Sequence, residues 1–342
     1  MLSHLIGVLN QRAAPGTVLL GGMTTPGALG VEYFFVLSGF VMMSAHYGDF
    51  GHWRRSLNFW WRRACRIYPL YWIILLPVIY NFYHGLPPAL LTWQLFSLEP
   101  RMINDLIPPA WSLRYEIAFY IMLGICMMPY IGRFVLLGWV ISVLWLAIPV
   151  QFLVAHGLLG FHQSVLGLLG TWNHFISVFE LYFLAGLFSG WLFIKCPPSL
   201  PSAAIGFVCG AALMAYGLSQ SQWGFAYPQP FPLAVLSLGY AGIIFGFSML
   251  ERCDVLRLGK WANRLGAISY PLYISHAPLV YFLDAHIGAS HHTAALHIIF
   301  FSAVAVIYGV AIFLAFGVDR PIQSALRRVR LAPWLQRAEA KA

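Results

Sequence analysis

Charge is scarce in this chain: only 9% of its 342 residues are Asp, Glu, Lys or Arg. A soluble domain carries roughly a quarter charged residues to face water, so an ordinary soluble protein is excluded. Acidic residues are the rarest, 11 against 20 Lys and Arg. Cysteine is also sparse. Of the five, Cys65, Cys196 and Cys253 fall in or beside loops expected in the cytoplasm, and Cys126 and Cys209 fall within apolar runs. None lies in an outer loop, so no disulfide framework is expected, and the spacing matches no zinc site. Internal repeats and low-complexity segments are lacking, which weighs against the inverted halves of many transporters. Met1 leads into a short apolar stretch with neither a basic n-region nor a small-residue cleavage site, so no signal peptide is expected.

What the chain has is hydrophobicity, 60% of its residues. Apolar runs of about twenty residues match the length needed to cross a bilayer. The expected fold is all-α: a polytopic transmembrane helical bundle forming a single integral-membrane domain over 1–342. Nine full spans are expected, at 29–44, 66–83, 109–130, 135–155, 172–194, 202–218, 232–250, 265–285 and 294–317. The fragment at residues 1–10 is too short to span and reads as the remnant of a first helix.

Placing the loop between the first two spans in the cytoplasm puts most basic residues inside. Arg54, Arg55, Arg62, Arg63, Arg66, Arg133, Lys195, Arg252, Arg257, Lys260 and Arg264 fall there, as does the basic tail 319–342. Only Arg12, Arg101 and Arg114 fall on or near the outer side. This bias is the positive-inside rule and predicts a cytoplasmic C-terminus in an inner (plasma) membrane. It also accounts for the net charge of +9 without a nucleic-acid partner.

Ionisable groups inside spans are costly and are functional candidates by default. Here they are Glu32, Arg114, Glu116, Glu180 and His276, with His4 in the short first segment. Each also has a plain structural reading. The charges could be paired with a neighbouring helix, His276 could be a neutral core histidine, and Glu180 could reach toward the outer interface. Arg114 and Glu116 are two apart, so they point to different helix faces. His286, His291, His292 and His297 match no compact ligand spacing, and no metal is expected. In "WRRACRIYPLYW" (61–72), Arg62, Arg63 and Arg66 stand at three- and four-residue spacing, so one helix side can present all three. Converging guanidinium groups suit bidentate phosphate binding, although basic residues at the inner end of a span are also simple anchors.

Five stretches taken together resemble the acyltransferase-3 family of multi-pass membrane O-acyltransferases. They are "GVEYFFVLSGFVM" (30–42), "FWWRRACRIYPLYW" (59–72), "AWSLRYEIAFY" (110–120), "ISYPLYISHAPLV" (268–280) and "VDRPIQ" (318–323), in the family's order. The resemblance implies transfer of an acyl group, usually acetyl, from cytoplasmic acetyl-CoA to a hydroxyl of a polysaccharide or lipid-linked glycan outside the membrane. It implies that Arg63 and Arg66 engage CoA, with Arg62 a plain anchor. His4 matches the family's catalytic histidine and would act as general base, with Glu32 or Glu116 orienting it and stabilising its charged form. An acyl-histidine intermediate is the formal alternative.

Two departures stand out. The family's first helix begins well upstream of its histidine, and Arg114 replaces a small or uncharged residue, where it could meet an anionic acceptor or pair with Glu32 or Glu180. The competing expectations are a transporter or flippase using Glu32, Glu116, Glu180 and His276 as a proton relay, and an inactive scaffold relative. The sugar, the acyl chain and the oligomeric state are not encoded legibly.

Overall fold

The computed structural model describes residues 1–14, 19–22, 28–82, 88–96, 106–147, 174–177, 179–220, 230–288 and 292–328. Parts of the expected spans 135–155 and 172–194 lie outside these residues, as do Arg101, His291, Arg330, Arg337 and Lys341. The described residues build helices and no strand. They fall into two compact units, each discontinuous in sequence. The first comprises Met1–Gly27, Trp61–Leu113 and Gly259–Ala342; the second comprises Ala28–Trp60 and Arg114–Leu258.

In the second unit, α2 (Ala28–His46) packs on a later helix, Glu180–Lys195, through glycines. A Cβ on Gly39 would collide with the carbonyl oxygen of Phe183, and one on Gly186 with that of Val36. Apolar helices gain no hydrophobic drive from each other in lipid, so close backbone approach through small residues supplies the attraction instead. Beside this crossing Phe183 stacks between Phe35 and Phe119, at centroid distances of 4.5 and 4.2 Å. Helix α3 (Trp53–Phe82) starts in this unit, where the Trp60 indole donates to Tyr120 O at 2.9 Å. After α4 (Pro88–Leu95) come α5 (Ala110–Cys126) and α6 (Gly132–Ser142), the latter continuing as a π-turn, Val143–Ala147. Glu180–Lys195 is α7, followed by α8 (Leu200–Gln220) and α9 (Pro230–Arg252). The α8–α9 pair repeats the small-residue solution: a Cβ on Gly210 would stand 2.6 Å from Ile243 N.

The first unit is organised on α10 (Lys260–His286) and α11 (Thr293–Phe313). Helix α11 runs through a π-turn, Leu314–Asp319, into α12 (Arg320–Arg328). Helix α1 (Leu2–Gln11) rises only about 15 Å, half of what a hydrocarbon core requires. It is nonetheless seated firmly. Leu5, Ile6 and Leu9 form one buried face against Val280, Leu296, Phe300 and Ile307. Its end is clamped to α10 by Arg12, whose Nε donates to Asp284 Oδ1 at 2.8 Å.

Among the described residues, three helices are long and apolar enough to cross a membrane: Leu200–Gln220, Leu233–Arg252 and Ala294–Leu326. They coincide with the expected spans 202–218, 232–250 and 294–317. Some of the other expected spans fall, in their described parts, on helices that are shorter or carry more charge. Helices α5 and α7 have 17 and 16 residues, and α3 carries five arginines before its apolar half. Among the described residues, length and composition thus support three of the nine expected spans.

The α2–α7 crossing yields a test. Gly39→Ala should cost about 1–3 kcal/mol, since only a backbone shift can relieve the clash. Gly30→Ala, with nothing within 4 Å of its Cβ, should leave stability unchanged or slightly raised. Thermal unfolding of the detergent-solubilised protein, followed by circular dichroism, distinguishes them.

Candidate active site

Helix α10 carries Tyr270, Tyr273 and His276 at three-residue steps, so the three side chains share a face. Each makes a different contact within the first unit. His276, 2% exposed, sets its Nε2 3.2 Å from Nδ1 of His4 on α1. The two rings lie within 20° of parallel, with centroids 5.2 Å apart. Behind His276, Nδ1 lies 2.6 Å from Tyr273 O and 3.1 Å from Leu272 O. His4 itself is exposed on its other side. The structure thus joins two histidines that stand 272 residues apart, and among the described residues the hydrogen-bond partner of His4 is His276.

One turn before His276, Tyr273 joins the Ser112 hydroxyl at 2.5 Å and donates to Pro109 O at 2.7 Å. Earlier still, Tyr270 reaches α3. Its hydroxyl donates to Ile67 O at 2.7 Å, and the Arg66 guanidinium lies 5.4 Å over its ring. Tyr270 and His276 are six residues apart, roughly 9 Å of helix rise. One helix therefore carries contacts to both the arginine stretch and the histidine of α1.

The arginine stretch is held by more than charge. Pro69 has no N–H, so the carbonyl of Cys65, four residues earlier, loses its partner within the helix. Gln323 of α12 supplies the missing donor, its Nε2 reaching Cys65 O at 2.8 Å. On the same side Arg66 Nη1 donates to Asp319 Oδ2 at 2.5 Å. Asp319 is buried by the π-turn that ends α11, and the Arg66 side chain is 35% exposed. This pair occupies one nitrogen of the guanidinium. Arg63 is half-buried and Arg62 exposed.

The remaining candidates lie in the second unit. Glu32 on α2 stands beside the phenols of Tyr182 and Tyr240. Glu116 accepts from the Tyr120 hydroxyl at 2.5 Å, and Ser38 lies 3.2 Å from the same hydroxyl. Arg114 is 1% exposed, among the largest side chains fully enclosed. Glu180 is wholly buried in the first turn of α7 and does not extend to an interface. Neither of its carboxylate oxygens meets a hydrogen-bond partner among the described residues.

Two sets of partners escape sequence reasoning. Asp319 lies 253 residues from Arg66, and Asp284 lies 272 from Arg12, separations at which helical periodicity carries no information. One signal was available for Gln323: a proline inside a helix always leaves the carbonyl four residues earlier in need of a donor.

Packed apolar helices with a few enclosed ionisable groups define a multi-helix membrane protein. The family whose description is "Acyltransferase domain", acyltransferase-3, matches residues 1–317. The chain belongs to this family. It is similar to the exopolysaccharide production protein ExoZ of Rhizobium meliloti (strain 1021), 30% identical over 273 residues, covering 74% of this chain and 76% of that protein. It is also similar to the acyltransferase MdmB of Streptomyces mycarofaciens, 38% identical over 120 residues, 31% of this chain and 30% of that protein. The match thus spans under a third of MdmB and about three quarters of ExoZ. No solved structure matches.

The Arg66–Asp319 pair gives a second test. Either Arg66→Ala or Asp319→Ala should cost about 1–3 kcal/mol, less than for a fully buried pair because Arg66 is partly exposed. The double variant should be less destabilised than the sum by about 0.5 kcal/mol or more. Strict additivity in urea unfolding would show that the two side chains are not coupled.

Proposed function

We propose that the protein is an O-acyltransferase that moves acetyl from acetyl-CoA to a hydroxyl of an extracytoplasmic or lipid-linked polysaccharide. The observation that carries this is His4: an imidazole braced from behind by His276 and open in front, on the helix pair that also reaches the arginine stretch. A general base needs that combination of a held ring and an accessible nitrogen. The likeness to an exopolysaccharide production protein supports a polysaccharide acceptor.

Acetyl-CoA would supply the activated thioester carbonyl and a thiolate leaving group. Arg63 and Arg66 suit its phosphates: guanidinium forks bind phosphate bidentately, and Asp319 takes only part of the Arg66 fork while fixing its direction. His4 removes the proton from the acceptor hydroxyl as that oxygen attacks the carbonyl carbon. The same proton then returns from His4 to the departing sulfur, so the imidazole ends neutral. The excess of basic residues supports placing the arginine stretch and the C-terminus on the cytoplasmic side of an inner (plasma) membrane, facing the compartment that holds the donor.

The test is made in cells that secrete a polysaccharide. Expression should add base-labile O-acetyl esters, read by proton NMR of the purified polymer. His4→Ala should lower ester formation by about 10²- to 10⁴-fold. Arg63→Ala and Arg66→Ala should raise KM for acetyl-CoA more than they lower kcat. Unchanged ester content in His4→Ala would overturn the assignment. Substrate flux across vesicles without consumption of acetyl-CoA would point to transport instead.

A further inference from the structure

We infer that His276 is a positioning residue that sets the tautomer of His4, so that Nε2 of His4 is the nitrogen that takes the acceptor's proton. The inference rests on the proposed role of His4 and adds which nitrogen acts and what selects it.

The argument is one of donors and acceptors. His276 Nδ1 faces two carbonyl oxygens, Tyr273 O at 2.6 Å and Leu272 O at 3.1 Å. A carbonyl can only accept, so Nδ1 must carry the hydrogen. Among the described residues no carboxylate is hydrogen-bonded to either ring, and a cation at the 2% exposure of His276 would be an uncompensated buried charge. His276 is therefore neutral, its single hydrogen is on Nδ1, and its Nε2 is an acceptor. The nitrogen facing that acceptor at 3.2 Å is Nδ1 of His4, which must then be the donor. In neutral His4 this leaves Nε2 unprotonated and free for the reaction.

The arrangement does for His4 what a carboxylate does behind the histidine of a Ser-His-Asp triad: it holds the ring and selects the tautomer. It differs in one respect. When His4 takes a proton at Nε2, its Nδ1–H still donates to a neutral imidazole, so the developing positive charge meets a dipole backed by two helix carbonyls rather than a full negative charge. No proton is consumed or lost in this support. The geometry is kept by the burial of Leu5 and Leu9 and by the Arg12–Asp284 clamp, which fix α1 on α10 through the turns that follow His4.

The experiment uses the full chain in lipid nanodiscs with ¹⁵N-labelled histidine. Two-bond ¹H–¹⁵N correlation spectra report the tautomer of His4, assigned by the signal lost in His4→Ala. In the native protein His4 should show a protonated Nδ1 and a bare Nε2; in His276→Ala that preference should disappear. With kinetics in parallel, His276→Ala should lower kcat about 10- to 100-fold and leave KM for acetyl-CoA unchanged, a loss no larger than that of the base itself. His276→Gln places a carbonyl oxygen near the lost Nε2 and should recover most of kcat, whereas His276→Asn is too short and should not.

A protonated Nε2 on His4 in the native protein would overturn the inference, as would equal kcat for His276→Ala and His276→Gln. If His276→Ala fails to fold, the native spectrum and the Gln–Asn comparison decide. Failure of the underlying reading looks different: His4→Ala would then form esters as well as the native protein, whatever the tautomer.

Discussion

A helix in apolar surroundings must find every hydrogen-bond partner within the protein, because no water is there to substitute. That constraint shapes the first unit. Pro69 opens the carbonyl of Cys65, and Gln323 closes it. The Tyr270 hydroxyl finds Ile67 O, the Tyr273 hydroxyl finds Pro109 O, and His276 Nδ1 finds the carbonyls of its own preceding turn. Each bond is needed for satisfaction, and together they tie α3, α10, α12 and the start of α5 into one framework. The histidine and the arginines are held as a consequence of that bookkeeping.

The second unit meets the same scarcity of polar groups differently. Its helices come together by backbone approach at Gly39 and Gly186 and again along α8 and α9, where any side chain would intrude. Into this apolar packing it admits Arg114 and Glu180, both essentially without exposure. Enclosed ionisable groups are expensive wherever they occur, which makes both residues candidates for a functional role. The carboxylates of Glu32 and Glu116 are each set against tyrosine hydroxyls, which keeps them in defined directions.

The sequence made some elements plain and hid others for physical reasons. Uninterrupted apolar runs marked α8, α9 and α11, because length and hydropathy are local properties. Helix α3 was harder to bound: its arginines and its two prolines break the apolar pattern, yet the helix continues through all of them, stabilised by donors from elsewhere. The short α1 gave no sign of being anchored, since its fixation depends on residues near positions 280, 284 and 300.

For the candidate site, the residue types were legible and the partnerships were not. His4, Arg63, Arg66, Glu32, Glu116 and His276 could all be singled out from rarity within apolar runs and from the family's motifs. By itself the sequence determined the class of protein, a helical membrane protein of the acyltransferase-3 family, because composition and motif order need no tertiary contact to be read. Only the tertiary structure decided that His4 meets His276 and that Arg66 meets Asp319. Hydrogen bonds act over about 3 Å in space, and separations of 253 and 272 residues along the chain leave no trace of them in any local pattern.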